Sequence, residues 1–157
     1  MPNCLDILIS LAPEYTRAIL EGRKTVELRR RRLHVSEGTR IWIYSKTPAA
    51  RIEATAYVKE ICEDDPGGLW SEFGGASGMS RADFDRYFSG CSQGCAIVLD
   101  GVRGVVPALG LATMKSEVAG FHPPQFFKRL GTQELRVLLQ SHRHEPRHCP
   151  LLPIVGQ

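Results

Sequence analysis

Hydrophobic and polar residues alternate with a period of two in three segments of the first half of the chain. This pattern predicts β-strands that bury one face. The segments are 25–30 (TVELRR), 40–46 (RIWIYSK) and 51–61 (RIEATAYVKEI), and a short apolar run at 5–10 precedes them. Because short links join the three segments, we expect them to lie side by side as a meander or as the wall of a barrel.

Helical patterns occupy the stretches between and after these strands. Pro13 favours the start of a helix, and Gly22 favours its end. The core face of that helix is predicted to carry Tyr15, Ile19 and Leu20.

Residues 63–94 change in character and predict two short helices inserted between strands of one sheet. Ser80 is a suitable N-cap residue for the second helix, with Asp83 three positions later. A further strand is predicted at 95–102, and a last helix begins at Thr132.

Composition indicates one globular domain, with 43% hydrophobic and 24% charged residues in 157. We expect an α+β domain over 1–142 and an irregular, His- and Pro-rich tail over 143–157. Five scattered cysteines suit a reducing compartment without disulfides. No apolar stretch is long enough to span a membrane, so we expect a cytoplasmic protein, or a nuclear one in a eukaryote, with no membrane partner.

Positive charge is concentrated in one part of the sequence. The net charge is +3, but residues 17–51 hold ten Lys and Arg against three Asp and Glu, a local +7. The remaining residues hold ten against fourteen, or −4. A basic lobe of this kind indicates an anionic partner such as nucleic acid.

The densest group of charges is GRKTVELRRRR at 22–32. Arg29 and Arg31 supply planar forks that suit phosphate, and Lys24 supplies a mobile point charge. Glu27 stands among these cations, where it could orient them, accept hydrogen bonds from a base or reduce their mutual repulsion. The alternative is a solvated strand edge that discourages aggregation, and the sequence leaves both open.

A second candidate binding surface lies on the strand at 40–46. Trp42 and Tyr44 share one face beside cations, which is typical either of a platform for unstacked bases or of a barrel interior. Ser45 and Lys46 follow at the end of the strand. In the FHPPQFF segment, His122 and Gln125 are either site residues or part of a packed connector.

No cofactor is expected, because the usual nucleotide and hydrolase motifs are absent. Cys91 and Cys95 have the spacing of a zinc-binding pair. The residues that would complete a site are irregularly spaced, so no metal site is predicted. They are His142, His144, His148 and Cys149.

Three stretches of the chain resemble the ASCH domain family: LISLAPEYTRAILEGRKTVELRRR, GTRIWIYSKTP and FHPPQFFKRL. The resemblance covers roughly residues 5–130 and is strongest at a GxKxxExR motif made by Gly22, Lys24, Glu27 and Arg29. It implies a PUA-like small β-barrel flanked by short helices. A cleft around the motif would bind RNA, a modified nucleotide or another single-stranded nucleic acid, in a regulatory role.

Some members of the family are enzymes. In a branch that resembles N4-acetylcytidine amidohydrolases, the catalytic set is a lysine, a threonine and a glutamate. Lys24 matches the lysine, Glu27 stands where the threonine is expected, and Ser77 lies in the region of the acid. If the chain is such an enzyme, Lys24 and Glu27 are its candidate catalytic residues.

A second enzymatic branch contains ribonucleases that use a tyrosine, a lysine and a serine. Tyr44, Ser45 and Lys46 supply those residue types in one strand. Three hypotheses therefore stand: an RNA- or nucleotide-binding module, an enzyme of the same fold, and an interaction domain for an acidic protein. The oligomeric state is not predicted.

Overall fold

The structure, a computed structural model, describes residues 6–142. Its strands are β1 (Ile7–Leu11), β2 (Val26–Arg29), β3 (Arg40–Ser45), β4 (Arg51–Asp64), β5 (Gly94–Gly110) and β6 (Phe127–Arg129). Its α-helices are α1 (Pro13–Leu20), α2 (Pro66–Phe73), α3 (Arg81–Tyr87), α4 (Leu111–Glu117) and α5 (Thr132–Ser141). A 3₁₀ turn at Gly74–Ala76 follows α2.

All six strands form one mixed sheet in the order β2-β5-β4-β3-β1-β6. The β1–β3 pair is parallel, and the other pairs are antiparallel. The predicted α+β class is therefore confirmed.

The predicted neighbour relation of β2 and β3 is wrong. The meander consists of β3, β4 and β5, whereas β2 pairs with β5 at the far edge. Val26 and Leu28 explain this placement, because they pack in a cluster with Leu69 of α2 and Phe84 of α3. The loop at 30–39 then carries the chain from that edge to β3.

The sheet curls into a half-barrel, so that its edges approach each other without pairing. Arg29, at the end of β2, donates from Nη1 to the carbonyl of Phe126, 3.4 Å away and just before β6. Arg129 of β6 donates from Nη2 to the carbonyl of His34 at 2.8 Å. A gap bridged by side chains therefore separates β2 from β6.

The predicted first helix is confirmed, with one error on its core face. Ile19 is 1% exposed, and Tyr15 packs at the edge of the main core cluster. Leu20 is 42% exposed. The error arises because α1 turns Thr16, Ala18 and Ile19 toward the sheet, which leaves Leu20 on the outer side.

The helical insertion between strands is also confirmed. α2 and α3 lie between β4 and β5, and the Ser80 side chain accepts a hydrogen bond from the Asp83 amide at 3.1 Å. The strand predicted at 95–102 is part of the longer β5. α5 begins at Thr132 as predicted.

Two predictions fall at the limits of the described residues. The irregular tail at 143–157 lies outside them, and the domain boundary at 142 stays a prediction. Within residues 6–142, none of the helices has the length and apolar character needed to cross a bilayer.

Candidate functional site

A cavity of about 400 Å³ lies at the gap between β2 and the segment that leads into β6. Its walls come from the end of β1, from α1, from β2 and from α3, which are distant in the chain. The lining residues are Ser10, Leu11, Ala12, Tyr15, Lys24, Glu27, Leu28, Arg29, Lys46, Met79, Asp83, Tyr87, Gln125 and Phe126.

Lys24 lies at the bottom of this cavity and is 2% exposed. Its ammonium group donates to the carbonyls of Val26 at 2.8 Å and Ser77 at 2.6 Å, and it lies 3.0 Å from Oε2 of Glu27. These three acceptors match the three protons of an ammonium group. Lys24 is therefore fully engaged by the protein itself.

A glycine allows the chain to approach Lys24 closely. Gly78 has a φ of +73°, and a Cβ at this position would lie 3.4 Å from Cβ and Cδ of Lys24. A side chain at Gly78 would be strained by this backbone conformation, and its Cβ would make ordinary contact with the lysine. The turn that brings the Ser77 carbonyl to Lys24 thus depends on glycine.

Glu27 connects Lys24 to Arg29. Its Oε1 forms an ion pair with Nε of Arg29 at 3.1 Å, while its Oε2 faces the ammonium group of Lys24. The alternation of β2 explains the arrangement. Glu27 and Arg29 share one face of the strand and line the cavity, whereas Val26 and Leu28 pack against α2 and α3 on the other face, with Leu28 also reaching the cavity edge. Two cations and one carboxylate leave this group with a formal charge of +1.

Within this group, Arg29 has the buried side-chain nitrogen that lacks a hydrogen-bond partner among the described residues. Its Nη2 is buried and has no hydrogen-bond partner among residues 6–142. Its Nη1 makes only a long 3.4 Å contact with the Phe126 carbonyl. Leaving a buried donor unpaired costs about 1–3 kcal/mol, which a ligand oxygen would recover once the guanidinium turned toward it.

Two tyrosines line the cavity from the helical side. Burial is the main cause that raises the pKa of Tyr15, and the charges of Asp83, Glu14 and Glu27 raise it further. Burial also raises the pKa of Tyr87, whose hydroxyl accepts a 3.3 Å hydrogen bond from the Arg30 amide. Both phenols therefore carry their protons at neutral pH and can donate to a ligand.

The structure brings together four of the residues predicted from sequence. Lys24, Glu27, Arg29 and Lys46 all line the cavity. Arg31 is exposed beyond the end of β2 and is not a lining residue. Arg31 lies outside the cavity because β2 ends at Arg29 and no longer directs the following side chains inward, and its contact with phosphate stays a prediction.

Tyr44 and Ser45 lie outside the cavity. Tyr44 is 4% exposed and packs with Trp42 in the cluster beneath α4 and α5, so neither ring offers a surface for a base. Ser45 is fully buried on the opposite face, where its Oγ lies 2.8 Å from Oγ1 of Thr16 and 2.5 Å from Oε2 of Glu53. Ser45 points to the opposite face from Tyr44, and Lys46 lines a cavity that neither of them lines, so these three residues do not form one site.

The segment before β6 contributes residues that sequence reasoning found only in part. Gln125 lines the cavity, whereas His122 is exposed and contacts the carbonyl of Gly120 at 3.0 Å. Phe126, next to Gln125, also lines the cavity, and the aromatic character of FHPPQFF is the signal that could have found it. Ser10 carries no such signal, because it belongs to an otherwise apolar strand.

Ion pairs reduce the basic lobe that the sequence indicates. Arg32 pairs with Glu63 at 2.8 Å, and Arg40 pairs with Asp6 at 2.7 Å. The acidic partners come from outside residues 17–51, so the local +7 overstates the exposed charge. The exposed positive charge of the lobe is therefore smaller than the sequence indicates.

The described residues contain no group of three or more His, Cys, Asp or Glu that could hold a metal ion. Cys91 and Cys95 are free thiols. His144, His148 and Cys149 lie outside the described range.

The contacts of Lys24 also bear on the amidohydrolase interpretation. Lys24, Glu27 and Ser77 do lie together, but Ser77 offers Lys24 a main-chain carbonyl, and its own hydroxyl donates to the Gly74 carbonyl at 2.8 Å. The position expected to hold an acid therefore supplies only backbone.

Comparison with known proteins identifies the family. The ASCH domain matches residues 9–120. The chain belongs to the ASCH domain family. The resemblance seen in the GxKxxExR motif is thus confirmed.

Relatives of this ASCH domain include a protein of named activity. An ASCH domain-containing ribonuclease from Zymomonas mobilis is 34% identical over 139 residues, which cover 88% of this chain and 93% of the relative. The crystal structure of ASCH from Zymomonas mobilis has a TM-score of 0.83 at 33% identity, covering 88% of this chain and 96% of that one.

A more distant likeness concerns the fold alone. The structure of human THYN1 in complex with 5-methylcytosine-containing DNA has a TM-score of 0.56 at 11% identity. It covers 90% of this chain and 99% of that one.

Proposed function

We propose that this ASCH domain binds RNA in the cavity beside β2 and cleaves it as a ribonuclease. The observation that carries the proposal is the guanidinium of Arg29, which borders the cavity with a buried, unpartnered Nη2. The Zymomonas mobilis relative, a ribonuclease by name, supports the choice of RNA and of cleavage.

Arg29 has the properties of a phosphate-binding residue. A guanidinium fork can donate two parallel hydrogen bonds to a phosphate, and such charge-assisted bonds are stronger than neutral ones. Glu27 holds Nε at 3.1 Å, so the side chain is anchored at the cavity wall, and only the guanidinium has to turn for Nη2 to face a ligand. Lys24 holds Glu27 in turn and acts as a positioning residue.

The cavity also supplies groups suited to the chemistry of RNA cleavage. Attack of a 2′-hydroxyl on the adjacent phosphorus passes the hydroxyl proton to a base, for which the cavity offers the carboxylates of Glu27 and Asp83. The new 2′-O–P bond builds negative charge on the phosphate oxygens, the P–O5′ bond breaks, and the departing 5′-oxygen needs a proton. Arg29 and Lys46 would stabilise the charge. Tyr15 and Tyr87, whose raised pKa values keep them protonated, are the candidate proton donors.

Binding can be tested with a matched pair of arginine variants. Arg29→Ala removes the cavity cation, and Arg31→Ala removes an exposed cation two residues away with the same change in charge. We expect Arg29→Ala to weaken binding of a fluorescein-labelled RNA by about ten- to one-hundred-fold in fluorescence anisotropy. Arg31→Ala should change affinity by less than about three-fold, because its charge is solvated and screened. Equal effects of the two changes would remove the proposed site.

Cleavage needs its own measurement. Labelled RNA incubated with the purified protein should give shorter products, and Arg29→Ala should suppress them while Arg31→Ala does not. Binding that depends on Arg29 without any product would instead favour a binding module, the other hypothesis that the sequence left open.

A further inference from the structure

The ring of Phe126 is unusually exposed for an aromatic residue. It is 69% exposed, more than any other aromatic side chain in the described part of the chain, and it lines the cavity beside Arg29. Single exposed apolar residues are common and need no explanation. Phe126 differs from these because hydrogen bonds hold its main chain and because its ring borders a cavity.

The main chain around Phe126 is held from two sides. Ser10 donates from Oγ to the carbonyl of Pro124 at 2.6 Å, and Arg29 contacts the carbonyl of Phe126 itself. β6 begins at the next residue, where Phe127 pairs with Ile9 of β1. The ring is therefore presented by fixed backbone, so binding would order little beyond the ring itself.

We propose that the Phe126 ring stacks on an unpaired base of the RNA whose phosphate reaches Arg29, so that the site selects single-stranded over duplex RNA. This inference rests on the proposed function of the cavity. In a duplex both faces of a base are covered by neighbouring pairs, whereas in a single strand a base can turn onto an aromatic ring. The rings expected from sequence to serve as the platform, Trp42 and Tyr44, are buried in the cluster beneath α4 and α5.

The opposite wall of the cavity suits the same ligand. Tyr15 and Tyr87 place aromatic rings and protonated hydroxyls on the helical side, while Phe126 borders the open side. An apolar ring next to a cation matches a nucleotide, which combines a π-face with a phosphate. A protein partner that used Phe126 as an apolar anchor would have no need of Arg29.

The test compares Phe126→Ala and Phe126→Trp with Phe127→Ala. Phe127 is a neighbouring phenylalanine that is 37% exposed and does not line the cavity. Anisotropy titrations would use a labelled single-stranded RNA, the same sequence as a duplex, and single strands carrying one abasic nucleotide at successive positions. Thermal unfolding of each variant serves as the check on folding.

We expect Phe126→Ala to weaken single-strand binding by roughly ten-fold, within the range known for the loss of one stacked base. Phe126→Trp should restore the affinity, and Phe127→Ala should leave it within about two-fold. Duplex binding should not respond to Phe126→Ala. One abasic position should weaken binding by the wild-type protein as much as Phe126→Ala does, and the two changes together should cost no more than either alone.

Other outcomes are equally decisive. If Arg29→Ala weakens binding but Phe126→Ala does not, or if the abasic and Phe126→Ala losses simply add, the stacking role is wrong and the cavity proposal stands. If neither variant affects binding of RNA, the proposed function itself fails. Unchanged RNA binding with loss of a protein complex on Phe126→Ala would assign the ring to a protein partner.

Discussion

The run GRKTVELRRRR contains two groups of charges with very different surroundings. In the first half, Lys24, Glu27 and Arg29 form a connected, largely buried group at the wall of a cavity. In the second half, Arg30, Arg31 and Arg32 are exposed beyond the end of β2. Residues of the same type thus become either an oriented site or a solvated surface, depending on whether a strand directs them inward.

The difference has an energetic reason. Removing charged groups from water is costly unless they are paired and hydrogen-bonded, so the buried group persists only because each member has partners. The exposed arginines keep their hydration and need no such network. Arg30 does contact Sγ of Cys91 at 3.3 Å and Arg32 does pair with Glu63, but Arg30 is exposed and the side chains of Arg32 and Glu63 remain 53% and 46% exposed.

The largest effect is expected for Lys24→Ala. The change leaves the Glu27 carboxylate facing only Arg29 and removes the donor from the carbonyls of Val26 and Ser77. Breaking a buried pair by removing one partner typically costs 3–5 kcal/mol, so we expect the free energy of unfolding to fall by about that amount. Urea denaturation followed by circular dichroism would measure it.

Arg23→Ala is the matched control for Lys24. Arg23 is the preceding residue, its side chain is 62% exposed, and it pairs with Glu21 on the surface. We expect Arg23→Ala to lower the free energy of unfolding by less than about 1 kcal/mol. If the two variants lost similar stability, the buried and exposed halves would not differ as the structure indicates.

The second prediction concerns the role of Glu27. If Glu27 only reduces repulsion between cations, Glu27→Gln should strengthen RNA binding by raising the net charge. If Glu27 orients Arg29, the same change should weaken binding, because a neutral amide holds the guanidinium less firmly. We expect weaker binding, together with a stability loss of about 1–3 kcal/mol.

Glu63→Gln is the control that separates the effect of net charge on RNA binding from the effect of orienting Arg29. It makes the same change in charge beside Arg32, in the exposed half. Anisotropy with the same RNA should show unchanged or slightly tighter binding. Tighter binding by both variants would contradict an orienting role for Glu27.

The features of the fold that the sequence predicts correctly are those that depend on residues close together in the chain. The alternation in β2, β3 and β4 is local, and so is the cap of α3 by Ser80, and all of these are found as predicted. The pairing of β2 with β5 is not local. It depends on Val26 and Leu28 meeting Leu69 and Phe84, a contact that no short segment of sequence encodes.

The site divides in the same way. Glu27 and Arg29 could be placed on one face because they lie two residues apart in a strand, and the ASCH motif added Lys24. Ser10 and Phe126 reach the same cavity from opposite ends of the chain through the curl of the sheet, which the sequence pattern does not reveal. Tyr44 was misplaced because a period of two identifies a shared face but not which layer covers it.

The smallest effect is expected for the exposed ion pair. Arg32→Ala removes the 2.8 Å contact with Glu63, which lies between half-exposed side chains. Surface pairs of this kind contribute about 0–1 kcal/mol, and salt weakens them further. We therefore expect Arg32→Ala to lower the free energy of unfolding, measured by urea denaturation, by less than about 1 kcal/mol at low salt and by a smaller amount at about 1 M salt.

Salt dependence makes this prediction the sharpest test of the contrast between the two halves. The cost of Lys24→Ala arises from desolvated groups and should persist at high salt, because counterions cannot reach a side chain that is 2% exposed. The cost of Arg32→Ala should nearly vanish under the same conditions. A loss of more than about 2 kcal/mol for Arg32→Ala at high salt would show that the exposed half is also organised by structure, and that burial alone does not separate site from surface in this run.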